Sequence, residues 1–331
     1  MKENALKLKH ILNNPRKIVI TTHRGPDGDA MGSSLAMMHF LMKLGHHVDV
    51  ITPNSYADFL HWMPGNDRVI VYEEREEEAR KITEEADLIF LMDFSHISRI
   101  ADFGSVISNA TVTKVLVDHH QDPDIDIADI IFSDPKICST AQLVYELITA
   151  MGLINYFDKE IAECLYVGIM TDTGSFKYPS TNSRTHNIVA ELIKLGANNA
   201  DIHDLVYDSL SASRVRLLGY CLSEKLLLYP ENNSAIISLD EDELKRFNFK
   251  KGDTEGIVNY ALAIKGITFA AFIVEKDNLV KLSFRSKGDF KVNKIAKKHF
   301  NGGGHINAAG GVSQLTVEGT IKKIEEIIKN Q

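Results

Sequence analysis

The sequence predicts an α/β protein in two domains, the first built on a parallel sheet. Three observations carry this. At 331 residues the chain is longer than one small core needs. Its first half alternates short apolar runs with stretches of helical periodicity, the pattern of successive βα units. Several of those runs are continuously apolar, as in Leu88-Ile89-Phe90-Leu91-Met92, which suits strands covered by helices on both faces.

Taken in order, Leu6, Leu8, Ile11 and Leu12 give the N-terminus the alternation of a short amphipathic helix. Residues 17–22 read as a strand and 30–44 as the helix after it. Residues 48–52 and 68–72 read as two more strands. The charged stretch 73–85 reads as a helix whose acidic cluster at 73–78 is a solvated face. Residues 88–92 and 112–117 are strands. Residues 139–152 turn helical, with Leu143, Val144, Leu147 and Ile148 on one face. Helices follow at 158–170 and 183–195, the latter closed by Gly196. Residues 201–219 read as a polar helical connector. A second α/β pattern then begins, with strands at 235–239, 268–274 and 279–284 and helices near 240–247 and 254–263. The expected divisions are a first domain at 1–190, a helical linker at 191–219 and a second domain at 220–331.

With 44% hydrophobic and 25% charged residues, the composition is that of a soluble globular protein. A net charge of −8 argues against general nucleic-acid binding through a basic surface, though not against a small anionic substrate. Cys138, Cys164 and Cys221 are odd in number, widely spaced and without a CxxC pair. That argues against a disulfide framework or structural zinc and fits a reducing cytosol. No signal-peptide pattern and no apolar run of membrane-spanning length is evident, so the expected location is the cytoplasm.

The chemistry gathers where apolar runs end. Residues 18–20 lead to His23, Asp27 and Asp29; 88–92 to Asp93; 112–117 to Asp118-His119-His120; and 167–170 to Asp172. In parallel sheets ligands bind beyond the carboxyl ends of the strands. Each carboxylate also has a plain structural reading. Asp29 stands where an N-cap would stand, Asp93 reads as a turn residue, and Asp172 ends a helix. An Asp-His-His triplet after a buried strand is the sharper signal. Carboxylates crowded together take up protons unless cations neutralise them, and two divalent ions would do so while activating water for attack on phosphorus. A His and Asp set without Cys favours Mn²⁺, with Mg²⁺, Co²⁺ or Fe²⁺ as substitutes. In the second domain, Gly302-Gly303-Gly304-His305 allows close approach of a ligand to backbone amides, with Ala308 and Ala309 expected to open a helix there. The bland reading is a glycine turn. Arg285 and Ser286 offer a guanidinium and a hydroxyl to a phosphate.

Together these residues resemble the DHH family of phosphoesterases over nearly the whole chain. His23-x-x-Pro26-Asp27-Gly28-Asp29-Ala30 resembles the family's first motif, Asp93 its second, Asp118-His119-His120 its third and Asp172 its fourth. Arg285-Ser286 and Gly302 to His305 resemble the DHH-associated substrate domain. The resemblance implies an active site in an interdomain cleft, with His23, Asp27 and Asp93 on one Mn²⁺. Asp29, Asp93, His119 and Asp172 would hold the other, with Asp93 shared. It implies a supporting role for Asp118 and contact of His120 with the scissile phosphate or leaving group. Arg285, Ser286, Gly303, Gly304 and His305 would hold the substrate.

Compact two-domain members of the family resemble nanoRNases and pAp phosphatases, which degrade very short oligonucleotides and dephosphorylate 3′-phosphoadenosine 5′-phosphate (pAp). The implied partners are short single-stranded oligonucleotides or small nucleotides, with no long-duplex binding and no membrane. A homodimer is compatible with this reading. Cyclic di-AMP or pApA hydrolysis is the alternative enzyme activity, and a nucleotide-sensing protein the non-enzymatic one.

Overall fold

A computed structural model describes residues 1–276 and 279–329. The last two residues of the expected second domain lie outside the described residues. The chain divides into two compact units, 1–209 and 210–331.

In the first unit the apolar runs become Lys17–Thr22 (β1), His47–Thr52 (β2), Ile70–Val71 (β3), Leu88–Met92 (β4), Thr113–Asp118 (β5) and Ile130–Ser133 (β6). All pair in parallel, in the order β3-β2-β1-β4-β5-β6. Alternate residues serve opposite faces. Ile18, Ile20, Phe90 and Val115 join a core with Gly28–Lys43 (α2), Thr140–Ala150 (α5) and Lys159–Asp172 (α6). Val19, Ile89, Leu91 and Leu116 join a second core with Glu76–Glu84 (α3) and Phe103–Asn109 (α4). Both faces are therefore covered, as the continuous apolar runs require. Lys2–Ile11 (α1), Ser183–Lys194 (α7) and Asn199–His203 (α8) complete the unit's α-helices among the described residues.

The strand order reverses between β1 and β4, which opens a crevice at their carboxyl ends. On the α2 side that crevice is closed by an unusually tight helix contact. A Cβ on Gly32 would stand 2.5 Å from the Cys164 carbonyl oxygen, and one on Gly168 would stand 2.5 Å from Ala141 Cβ. Glycine at both positions lets α2, α5 and α6 converge beside the crevice.

Periodicity does not reveal β6 or α4, both short. It also overextends the strand at 68–72, which shrinks to the two residues of β3. The single connector expected at 201–219 is broken: α8 runs into a π-helical turn at Asp204–Asp208, and a new helix, Ala212–Ser223 (α9), starts after Ser211. The Ser211 side chain accepts a hydrogen bond from Arg214 N, so a capping serine interrupts what periodicity alone would continue.

The second unit is a mixed sheet of Leu226–Tyr229 (β7), Ser234–Leu239 (β8), Phe269–Lys276 (β9), Leu279–Ser286 (β10), Gly303–His305 (β11) and Ala308–Ser313 (β12). Its order is β11-β12-β10-β9-β8-β7. Helices α9, Glu241–Arg246 (α10) and Ile257–Ala263 (α11) cover one face; Val292–His299 (α12) and Val317–Lys329 (α13) cover the other. The helix expected to open at Ala308 is a correction: those residues form β12, pairing with β10 and β11. No helix among the described residues is long and apolar enough to cross a membrane.

Candidate metal centre

β1 delivers His23, which is buried. Gly25 and Pro26 delay the helix, and Gly25 N is tied to Asn54 Oδ1 at 2.7 Å. Asp27 then caps α2, its Oδ1 accepting from the backbone N of Asp29 and Ala30 at 3.0 Å each. The cap expected at Asp29 thus falls two residues earlier. Asp29 instead lies in the first turn of α2, buried, with Oδ2 accepting from Thr140 N at 2.6 Å and Oδ1 from Ala141 N at 2.8 Å.

β4 ends at Asp93, whose φ of +64° is left-handed. Such backbone is uncommon outside glycine and concentrates at functional positions. Its amide still reaches Val117 O, extending the pairing with β5 by one residue. β5 delivers Asp118, His119 and His120, and α6 ends on Asp172.

These side chains converge. His23 Nε2 is 3.6 Å from Asp93 Oδ2 and 4.0 Å from Asp27 Oδ1. His119 Nε2 is 3.7 Å from both Asp29 Oδ2 and Asp93 Oδ1, and 3.4 Å from Asp172 Oδ2. Asp93 therefore belongs to both groups. His120 Nδ1 is 2.7 Å from Asp118 Oδ1 and 3.7 Å from Asp93 Oδ1. Most of the set is buried, but the Asp27 side chain is 55% exposed, which makes it the edge that faces solvent.

The electrostatics are those of crowded acids. Burial, then the charges of Asp93, Asp172 and Asp27, push the Asp29 carboxyl well above the usual range. Burial raises Asp172 to about 6 against the opposing pull of His119. Burial works against Asp93 too, but His23 and the other two imidazoles outweigh it and hold that carboxyl below its ordinary value. Burial disfavours charged His120, yet Asp118 and Asp93 raise it to about 9.

The donor set fits divalent cations. A backbone carbonyl only accepts, so His23 Nδ1, 3.1 Å from Arg24 O, and His119 Nδ1, 3.2 Å from Ile137 O, carry protons. Each ring then presents Nε2 to the carboxylates, the arrangement of a metal-ligating histidine. The Nε2-to-carboxylate separations are too long for good hydrogen bonds and short enough for the atoms to share an ion. Donor atoms of His23, Asp27 and Asp93 lie within 4.8 Å of one another, as do those of Asp29, Asp93 and His119, and of Asp93, Asp118 and His120. Asp118 Oδ2 is buried with no hydrogen-bond partner, a further acceptor within this polar cluster.

Two segments of the chain carry a family signature. Residues 17–169 match the N-terminal domain of the DHH family, and residues 233–330 match the DHHA1 domain. The chain belongs to the DHH family. Among relatives of this DHH protein are the bifunctional oligoribonuclease and PAP phosphatase NrnA of Bacillus subtilis, 28% identical over 88% of each chain, and a probable enzyme of the same description from Streptococcus mutans, 30% identical over 91% of each. A crystal structure of an exopolyphosphatase-related protein from Bacteroides fragilis superposes with a TM-score of 0.94 at 41% identity, covering 100% of this chain and 96% of that one.

The second unit of the DHH protein places its expected residues on the β10-β12-β11 side of the sheet. Arg285 and His305 both lie opposite Ala308 in the strand register, so the two share a face across a small residue. Ser283 and Gly303 both lie opposite Gly310 and continue that face. Arg285 Nη1 bonds Phe284 O at 2.9 Å, while its Nε is buried without a hydrogen-bond partner. Gly303 and Gly304 belong to edge strand β11 and no phosphate-binding helix start. Ser286 ends β10. It is buried, donates to Phe290 O at 2.5 Å and accepts from Asn307 Nδ2 at 2.9 Å, so its hydroxyl fixes the turn after β10.

Sequence reasoning does not find Thr140, Ala141 or the Ile137 carbonyl, all in contact with the centre. A signal exists in Ser139-Thr140, at the start of an expected helix beside the strand ends, but a helix start is usually read for capping alone.

Proposed function

We propose that this DHH protein is a Mn²⁺-dependent phosphoesterase that hydrolyses short oligonucleotides to mononucleotides and removes a phosphate from pAp. The observation that carries it is the pair of imidazoles, His23 and His119, each oriented by a backbone carbonyl so that Nε2 faces the shared Asp93. The descriptions of the relatives matched along most of their length supply the substrate class.

In this reading His23, Asp27 and Asp93 hold one ion, and Asp29, Asp93, His119 and Asp172 the other. Bound there, two divalent ions supply charge neutralisation and an activated water for displacement at phosphorus. The chain's own residues orient the reaction. Asp118 fixes His120 through Nδ1, which turns Nε2 toward the scissile phosphate. Arg285 contributes unspent guanidinium donors to the substrate's other phosphate, with His305 and the Gly303 and Gly304 backbone beside it.

Charge is divided to suit. Residues 1–209 carry 18 Lys and Arg against 31 Asp and Glu, whereas residues 210–331 carry 19 against 14. Cation binding thus belongs to the acidic unit and anion recognition to the basic one. We place the enzyme in the cytoplasm, acting without long-duplex binding, and a homodimer is compatible with this reading.

Replacing Arg285 with Gln should raise KM for pAp and for a dinucleotide by roughly 10-fold, the worth of a charge-assisted hydrogen bond, with kcat little changed. Steady-state kinetics on both substrates checks this. The function itself is tested by turnover with Mn²⁺ of a dinucleotide, longer RNA, pAp, cyclic di-AMP and pyrophosphate. Release of mononucleotide from the dinucleotide and of phosphate from pAp is expected. Turnover of cyclic di-AMP with neither of those products would assign the alternative activity, and tight pAp binding without hydrolysis would make the protein a sensor.

A further inference from the structure

We infer that Thr140 is a positioning residue for the metal centre, a clamp that holds the two buried carboxylates Asp93 and Asp29 in ligating orientation; this rests on the metal-dependent reading above. Thr140 is fully buried. Its Oγ1 donates to Asp93 Oδ1 at 2.8 Å, and its backbone N donates to Asp29 Oδ2 at 2.6 Å. The next amide, Ala141 N, takes the other oxygen of Asp29 at 2.8 Å. One short segment therefore grips two of the three carboxylates that face His119 Nε2, Asp172 being the third.

The hydroxyl is not explained by the needs of helix α5. Ser139 caps that helix, its Oγ accepting from Gln142 N at 3.0 Å. Valine has nearly the shape of threonine, so the only thing specific to Thr140 is the donor it gives Asp93. That donor matters because Asp93 sits on left-handed backbone at the end of β4, and Oγ1 at 2.8 Å is closer to its carboxylate than any of the three imidazoles that face it at 3.6–3.7 Å. Held by Thr140, Oδ1 stays directed toward His119 while Oδ2 faces His23. A carboxylate shared between two ions must present its two oxygens in different directions at once. Partners behind a ligand commonly govern metal affinity in this way.

The same segment fixes a ligand from the other side. Ile137 O accepts from His119 Nδ1 at 3.2 Å. Residues 137–141 thus orient one imidazole and two carboxylates of the centre, although none of them is itself assigned as a ligand.

The test is Mn²⁺ titration calorimetry on the full chain, comparing wild type with Thr140→Val, Thr140→Ala and Thr140→Ser, together with the melting temperature of each metal-free protein. Thr140→Val should weaken Mn²⁺ binding by about 10–100-fold, in both binding steps because Asp93 is shared. Thr140→Ser, which keeps the hydroxyl, should stay within about threefold of wild type. The metal-free melting temperatures of Val and Ser variants should agree, which a merely structural role would not produce alongside a loss of affinity. If Val proves insoluble, the contrast between Ala and Ser carries the same comparison. Wild-type affinity in Thr140→Val or Thr140→Ala would overturn the clamp while leaving the metal reading intact. Equal losses in the Ser and Val variants would overturn it too. Absence of Mn²⁺ binding by the wild type would overturn the metal reading and the clamp with it.

Discussion

Asp93→Asn should lower kcat/KM on a dinucleotide by at least about 10³-fold, more than the loss of one electrostatic contact usually costs. Asp93 faces His23 with one oxygen and His119 with the other. Removing its charge therefore weakens both halves of the centre together. Asparagine is the informative replacement. It tolerates the left-handed φ of +64° found here, so backbone strain is not added to the change. Alanine at this position would confound loss of a ligand with loss of that tolerance. The metal-free Asn variant should melt close to the wild type, while added Mn²⁺ should raise the melting temperature of the wild type and leave the variant nearly unmoved, since a ligand stabilises only the fold that binds it. Dinucleotide turnover near the wild-type rate in Asp93→Asn would remove Asp93 from its shared position.

Gly168→Ala should damage fold and centre at once. The added methyl would stand 2.5 Å from Ala141 Cβ and 2.8 Å from Asp29 Oδ1. Both neighbours are fixed, since Ala141 lies in the first turn of α5 and Asp29 is bonded to that same turn. Overpacking of this kind costs about 1–3 kcal/mol, a melting temperature lower by roughly 3–10 °C for a unit of this size. Because relief requires Asp29 to move, Mn²⁺ affinity should fall as well. An unchanged melting temperature and unchanged affinity would show that α5 and α6 part easily, contrary to their tight contact. Differential scanning fluorimetry with and without Mn²⁺ separates the two effects.

Much of the first unit is legible in the sequence. Residues 17–22 and 88–92 are strands at their expected bounds because a continuous apolar run between polar residues has few alternatives. The clustering of His23, Asp93 and Asp118 to His120 follows from parallel strands delivering their next residues to one edge. The differences have physical causes. Asp27 and Asp29 are both good caps, and pattern alone does not say which begins the helix, so the cap expected at Asp29 falls at Asp27. The glycines at 302–304 read as a loop before a helix because propensity ranks glycine low in strands; the ladder with Ala308 to Gly310 overrides that ranking. Ser286 suits a phosphate by residue type, and only its contacts with Phe290 and Asn307 reveal that its hydroxyl is engaged. Thr140 lies 47 positions from Asp93 along the chain, a distance over which periodicity says nothing.

In the proposed centre, side chains delivered by β1, the start of α2, β4, β5 and α6 hold two ions through one shared carboxylate. Crystals of the wild-type protein grown with Mn²⁺, measured at the manganese absorption edge, test this most directly. Two anomalous peaks are expected, one beside His23 and Asp27 and one beside Asp29, His119 and Asp172, with Asp93 contacting both. A single peak, or two peaks with Asp93 touching neither or only one, would contradict the shared-carboxylate centre.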